Sequence, residues 1–263
     1  MELGFKDRVA VVTGASKGIG HGIAHGLANE GVRTIIVART KAPLAEAARQ
    51  IESDTGIESL AVDGDVRDTA LADNIVQIAM EKWGRVDILV NNAGGPPPMN
   101  FLEAGNQDWN DALELNLLGS IRMCRAVVPV MKAQKWGRII TIGSTVMKEP
   151  SPQMVMSATA RAGVTAFMKA ISIELAADGI TANTIATGGV QTERLVSLFE
   201  TIATKNDQSV DTLLENAAAS IPMGRFASPA EFAQMIVFLA SEAGGYITGE
   251  CISVDGGLSK SAF

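Results

Sequence analysis

The residues best suited to chemistry cluster near the start of the chain. Residues 13–20 read TGASKGIG, between a β-branched run and a helical pattern. Gly14, Gly18 and Gly20 carry no Cβ, so the backbone can turn sharply and bring N–H groups against a pyrophosphate, with Ser16, Lys17 and Ile19 inside the same turn. The helix that follows adds partial positive charge at its N-terminus. The spacing is G-x₃-G-x-G rather than the commoner G-x-G-x-x-G. A tight turn without a ligand is the competing reading, and the position between first strand and first helix argues against it. The second β-branched run ends Val37-Ala38-Arg39-Thr40. A site for NAD normally has a carboxylate there for the ribose 2′-hydroxyl. Arg39 in that place, with Lys17 nearby, suits a 2′-phosphate, which a guanidinium can clasp in bidentate fashion. NADP is therefore expected over NAD, the alternative being that both cations are merely solvated. His21 and His25 sit four apart on the first helix, too close to the phosphates to reach a reacting carbon, and no metal site is expected.

These groups need a scaffold. Arg8–Thr13, Val32–Ala38, Ser59–Val62, Val86–Val90, Arg138–Ile142, Thr181–Ala186 and Cys251–Val254 read as seven strands. Several are apolar throughout, as strands covered on both faces are. Helical patterns occupy residues 18–30, 42–54, 69–83, 107–134, 152–178 and 228–241; the last opens with Ser228-Pro229-Ala230-Glu231, a capping box with proline at the first helical position. Repeated strand–helix alternation predicts an α/β, Rossmann-like, doubly wound parallel sheet of seven strands, helices on both faces, in one domain spanning 1–263. Residues 188–225 break the rhythm: about 38 residues without a strand, with Leu195, Val196, Leu198, Phe199, Leu213 and Leu214 at helical spacing. A connection this long is expected to be a substrate lid, the alternative being a two-helix decoration.

Composition excludes several classes. The 263 residues carry 22 Lys+Arg against 29 Asp+Glu, a net charge of −7, with 47% hydrophobic residues. Disorder is excluded, and binding to nucleic acid or an anionic membrane is not expected. Two cysteines, Cys124 and Cys251, make no disulfide framework, which favours a reducing cytoplasm. The start MELGFKDR lacks the apolar stretch of a signal peptide, and no window approaches a membrane span. The chain contains a single tyrosine, Tyr246.

Taken in order, TGASKGIG, Asp65-Val66, NNAG at 91–94, Asn116 in ELNLLG, Ser144 closing IITIGS, Asn183 in TANTIATGG and the final ITGECISVDGG resemble the short-chain dehydrogenase/reductase family over essentially the whole chain. The segment PMGRFASPAEFAQMIVFLASE is most similar to the 3-oxoacyl-(acyl-carrier-protein) reductase branch. The resemblance implies a subunit that binds NAD(P) and moves a hydride to or from a carbonyl or alcohol. It implies that Asp65 and Val66 face the adenine, that Asn91, Ala93 and Gly94 line the adenosine ribose, and that Gly188 and Thr192 complete the cofactor contacts. It also implies a homotetramer or homodimer in which the Ala-rich helix at 158–177 and the helix around Asn116 pair between subunits, although packing within one subunit fits the same pattern.

The resemblance fails at one place. The family's Tyr-x-x-x-Lys falls about thirteen residues after the serine matched by Ser144, which gives Ser157 and Arg161. The family's Pro-Gly after the sixth strand is Thr187-Gly188. A phenol of pKa about 10 is a reasonable proton donor to a nascent alkoxide, whereas a serine hydroxyl is a far weaker acid. Arg161 keeps the positive charge and a fork of donors for the nicotinamide ribose diol. Asn116, Ser144, Ser157 and Arg161 are thus the expected catalytic set, Arg161 doubling as a cofactor contact. Lys148 and Glu149 either supply the proton or are exposed loop charges. Met147, Met154, Met156 and Met223 either line an adaptable pocket or fill the core. Two functions remain: an atypical NADP-dependent oxidoreductase acting on a 3-oxoacyl-like or other small ketone, or a dinucleotide-binding protein whose redox chemistry is lost or replaced.

Overall fold

In the computed structural model, which describes residues 2–206 and 208–261, one sheet organises the chain. Its strands are β1 (Val9–Thr13), β2 (Arg33–Ala38), β3 (Ser59–Asp63), β4 (Ile88–Asn91), β5 (Gly137–Ile142), β6 (Ile180–Thr187) and β7 (Cys251–Val254). They lie in the order β3-β2-β1-β4-β5-β6-β7, every pairing parallel. The expected seven-stranded, Rossmann-like sheet is what forms. Strand order reverses between β1 and β4, where Val11 pairs with Ile35 on one side and Leu89 on the other. A crevice opens at that switch point, above the carboxyl ends of the strands.

Helices cover both faces. On one side α1 (Gly18–Asn29), α2 (Lys41–Thr55) and α9 (Pro229–Ala240) pack on Ala10, Val12, Ile36, Val90 and Ile140. On the other, α3 (Leu71–Trp83), α5 (Gly119–Gln134) and α6 (Val155–Leu175) pack on Val11, Ile35, Leu89 and Ile139. Neighbouring residues of one strand therefore enter opposite cores, which is why β1, β5 and β6 are apolar or buried at nearly every position. Ser228 caps α9 as expected, its Oγ accepting from Glu231 N.

One element differs from the expected pattern. The helix expected at 107–134 is interrupted: α4 (Asn106–Leu113) passes into a π-turn at Glu114–Leu118 before α5 begins. Such a turn takes up one extra residue without a residue-type signature, so sequence pattern cannot announce it. Residues 188–225 fold largely as two helices, α7 (Glu193–Asn206) and α8 (Val210–Ser220). Among the described residues, no helix is long and apolar enough to cross a membrane.

Candidate active site

The crevice at the switch point is a cleft of about 560 Å³. Its floor comes from the ends of β1 (Gly14), β2 (Val37, Ala38, Arg39), β5 (Ile142, Gly143) and β6 (Thr187), and α6 contributes Arg161. The start of α7 closes one side with Thr192, Glu193 and Arg194.

The glycine turn has the geometry of a cradle. Gly14 has φ +60°, and a Cβ there would lie 2.4 Å from the Asn92 carbonyl oxygen. At Gly20 a Cβ would lie 2.3 Å from the Gly14 carbonyl, so the turn closes on itself only with glycine at both places. Asn92 ties the turn to β4: its N–H donates to Thr13 Oγ1 (2.9 Å) and its Nδ2 to the Gly14 carbonyl (3.1 Å). Ser16, Lys17, Gly18, Ile19, Arg39, Asp65, Val66, Ala93, Gly94, Thr192 and Arg161 all line the cleft. Asp65 is held in a fork by Arg67, Nε at 3.0 Å and Nη2 at 2.7 Å, and that guanidinium keeps its carboxyl below the usual range. A shape that a Cβ would fill, with Arg39 and Lys17 on its rim, fits a pyridine dinucleotide bearing a 2′-phosphate.

Several expected residues lie elsewhere. Asn91 is buried, its Nδ2 donating to Thr141 Oγ1 (3.3 Å) and Cys124 Sγ (3.5 Å), because β4 is covered by helices on both faces. Gly20 lies beneath the turn rather than in its wall, and Gly188 packs against Asp255. Asn116, in the π-turn, donates to the Ala112 carbonyl at 3.4 Å while its neighbour Leu115 reaches the cleft. Ser144 precedes the short turn at Thr145–Met147 with extended backbone and makes no side-chain cap bond to it, outside the lining. Ser157 is only 1% exposed and lies outside the lining too. Of the expected foursome Arg161 lines the cleft itself, with Ser157 directly behind it and Ser144 and Asn116 each next in sequence to a lining residue, Gly143 and Leu115.

Arg161 is 7% exposed, and its Nη1 donates to Ser157 Oγ at 2.5 Å, one helical turn away. Its Nε is buried without a partner. Burial, with a contribution from the Arg194 charge, lowers its pKa to about 10. Arg194 reaches across from α7 and donates through Nη2 to the Gly95 carbonyl at 2.8 Å. Beside it Glu193 pairs with Lys17 at 2.8 Å, so the start of α7 is tied to both sides of the cleft. Sequence reasoning missed Asn92, Gly95 and Arg194. The first stands in the NNAG motif and was legible; nothing local marks the others.

The remaining candidates fall away from the cleft. Glu149 Oε1 accepts from the Lys260 and Ser261 backbone N–H groups, and neither Glu149 nor Lys148 lines the cleft. Met156 is core, Met223 is exposed, Met147 packs over Gly143 and Thr165, and Met154 bridges to Met99. Tyr246 is fully exposed, and Asn183 donates to the Ile247 carbonyl at 2.8 Å, fixing the loop that carries it. No metal-ligand cluster occurs among the described residues.

A glycine cradle at the switch point of a doubly wound parallel sheet defines a dinucleotide-binding protein of Rossmann-like architecture. The family model described as enoyl-(acyl carrier protein) reductase matches residues 14–259. The chain belongs to the short-chain dehydrogenase/reductase family. It is similar to the 3-oxoacyl-[acyl-carrier-protein] reductase FabG of Escherichia coli (strain K12), 35% identical over 256 residues that cover 97% of this chain and 99% of that protein. Among solved structures it is similar to L-sorbose reductase from Gluconobacter frateurii complexed with NADPH and L-sorbose. The TM-score there is 0.95 at 34% identity, covering 99% and 100% of the two chains. A variant of actinorhodin polyketide ketoreductase with NADPH gives a TM-score of 0.92 at 33% identity, covering 97% and 98%.

Proposed function

We propose that this chain is an NADP(H)-dependent oxidoreductase that interconverts a small carbonyl compound, 3-oxoacyl-like or another ketone, and its alcohol. The observation that carries the reading is one continuous cleft that runs from Arg39 and the glycine cradle to Arg161. The 3-oxoacyl reductase and the NADPH-bound reductases described above support it.

When bound, NADPH supplies the hydride. Gly14, Ser16, Gly18 and Ile19 would hold the pyrophosphate through the turn, Arg39 and Lys17 would hold the 2′-phosphate, and Asp65 and Val66 would flank the adenine. As the carbonyl carbon accepts the hydride, the C=O π pair moves to oxygen. Arg161 is a fixed cation in a poorly hydrated wall, where it stabilises that developing negative charge. Ser157, buried behind it, accepts a hydrogen bond from Nη1 and so fixes the orientation of the guanidinium fork. With serine and arginine at positions 157 and 161 in place of a phenol and a lysine, solvent delivers the proton to the oxygen. Losing a positioned general acid costs about 10²- to 10⁴-fold, so a slow chemical step is expected. Residues 188–225 serve as the lid, α7 moving to admit ligands.

The test is NADPH oxidation over a panel of ketones and 3-oxoacyl thioesters, with transfer of deuterium from labelled cofactor to the product carbon. A second reading, a dinucleotide binder without redox chemistry, is favoured by the burial of Ser157. It prevails if NADPH raises the melting temperature while no compound is turned over. We also propose a cytoplasmic homodimer or homotetramer. The α6 face bearing exposed Ala162, Ala166, Ala170 and Ile173 would meet a second copy, which light scattering on the purified protein would detect.

A further inference from the structure

Beyond Gly143 the wall of the cleft continues as a loop, which runs through the short turn at Thr145–Met147 to the start of α6 at Val155. Local backbone bonds hold the turn, Met147 N–H to the Ser144 carbonyl at 3.1 Å and Glu149 N–H to the Thr145 carbonyl at 2.9 Å. Further along, the Gln153 carbonyl accepts from the Met99 N–H at 2.9 Å, which ties the loop to the segment after β4. Glu149 supplies a second tie. Its Oε1 accepts from the backbone N–H groups of Lys260 and Ser261, the latter at 2.6 Å. Amides of two successive residues thus converge on one carboxylate oxygen, and a bond to an ionised acceptor is about twice as strong as a neutral one.

The segment that Glu149 grips also carries the roots of the lid. Asp255 orders it, its carboxylate accepting from Gly257 N–H at 3.0 Å, Ser259 N–H at 2.9 Å and Ser259 Oγ at 2.5 Å. At the first root Gly188 N–H donates to the Val254 carbonyl at 3.1 Å, and a Cβ there would lie 2.5 Å from Asp255 Cβ. At the second root, after α8, Met223 N–H donates to the Gly256 carbonyl at 3.2 Å, and Pro222 lies against Gly257. The roots are also joined to each other: Gln191 N–H donates to the Ala227 carbonyl at 2.8 Å, and Ala227 N–H to the Gly189 carbonyl at 3.0 Å. A second cavity of about 370 Å³ opens beside them, lined by Gly189, Met223, Phe232, Met235, Asp255 and Gly257. With open space on that side, the backbone bonds to residues 254–256 are what locate the roots.

Residues 254–261 therefore meet both lid roots and the loop after β5. We propose that Glu149 is a positioning residue for the reaction: by gripping the Lys260 and Ser261 amides it ties the loop after β5 to the lid, so that these two walls of the carbonyl site keep one spacing. This rests on the hydride-transfer reading and adds to it a residue that touches neither substrate nor cofactor. Without the grip, loop and lid sample other separations, and a carbonyl compound must draw them together as it binds. A site that is competent for only part of the time has its apparent dissociation constant raised by the inverse of that fraction. The cost therefore falls on KM, whereas at saturation the compound itself holds the walls and kcat is kept. The cradle and Arg39 follow β1 and β2, across the sheet from this segment.

Steady-state rates with a ketone that wild type reduces, NADPH titrations and amide hydrogen exchange test it in wild type, Glu149→Gln, Glu149→Ala and Lys260→Pro. The last removes one of the two donors and leaves Glu149 in place. In Glu149→Ala, KM should rise about 10-fold while kcat stays within about 2-fold. Glu149→Gln, an acceptor without the charge, should fall between wild type and alanine, and Lys260→Pro should move KM in the same direction. NADPH affinity should stay within about 3-fold, because the polar tie from lid to cradle is an exposed ion pair, Lys17 with Glu193. Exchange in Glu149→Ala should quicken together at residues 143–154, 188–191 and 221–227, and remain slow in β1 and β4. If wild type reduces no ketone, the hydride-transfer reading fails while exchange still judges the tie. Faster exchange confined to residues 258–261 overturns the proposal, because Glu149 would then anchor that segment alone. An unchanged KM does so too, as does a KM that rises in step with lost NADPH affinity. Faster exchange that extends to β1 and β4 also overturns it, since the change would then be one of overall stability.

Discussion

Replacing Arg161 with methionine should make the cofactor-free protein more stable while it disables the site. The guanidinium is 7% exposed and has no acidic partner among the described residues, and burial lowers its pKa well below the ordinary arginine value, to about 10. That depression corresponds to about 3 kcal/mol against the charged folded state. The unfolded chain holds this proton more tightly, so the penalty is complete at every pH below about 10 and is relieved as pH rises through that value. Methionine, apolar and flexible, fills similar space without the charge. Against this gain, the buried Ser157 Oγ loses its donor, which costs about 1–2 kcal/mol. The net expectation is stabilisation by about 1–2 kcal/mol, or a rise in Tm of about 2–6 °C for a chain of this size. Adding Ser157→Ala should recover most of the remainder. Far-UV circular dichroism melts at pH 7, with no nucleotide present, measure the effect, and the same samples should show loss of carbonyl reduction. A loss of more than about 1 kcal/mol in Arg161→Met would refute the reasoning, because it would mean that the buried charge is compensated in the native protein.

Other perturbations test other parts of the site. Arg39→Ala should weaken NADPH binding by about 10- to 10²-fold while leaving NADH nearly unchanged, as fluorescence titration would show; equal losses would remove Arg39 from the 2′-phosphate. Gly14→Ala should cost about 1–3 kcal/mol in urea unfolding and abolish nucleotide binding, since its Cβ would meet the Asn92 carbonyl. Gly31→Ala, also at positive φ but with nothing within 4 Å, should cost less and spare binding; similar costs would show that the close approach to Asn92 is immaterial. The Cys124 thiol, pushed up to about 12 by burial, should resist an aromatic disulfide reagent at pH 8 in native protein and react only on unfolding. Prompt native labelling of Cys124, located by peptide mapping, would contradict the packing of α5 against the sheet.

What the sequence by itself determined was everything local. Runs such as VAVVT, RTIIVA and RIITI are apolar and β-branched because their side chains enter both cores, and that pattern predicted the parallel sheet. TGASKGIG announced its cradle because only glycine tolerates the geometry at Gly14 and Gly20. The departure at Ser157 and Arg161 was likewise legible, being a matter of residue type at a fixed spacing. The tertiary structure decided which way these groups face. Asn91, Ser144 and Ser157 look equivalent to cleft residues in a motif, yet each lies outside the lining, and the π-turn turns Leu115 rather than Asn116 toward the cleft. Arg194 carries no motif at all. It matters because strand order places Gly95 beside α6 and the long connection after β6 returns across the same crevice. Convergence of residues distant in sequence is set by how the layers dock, and no local periodicity encodes that.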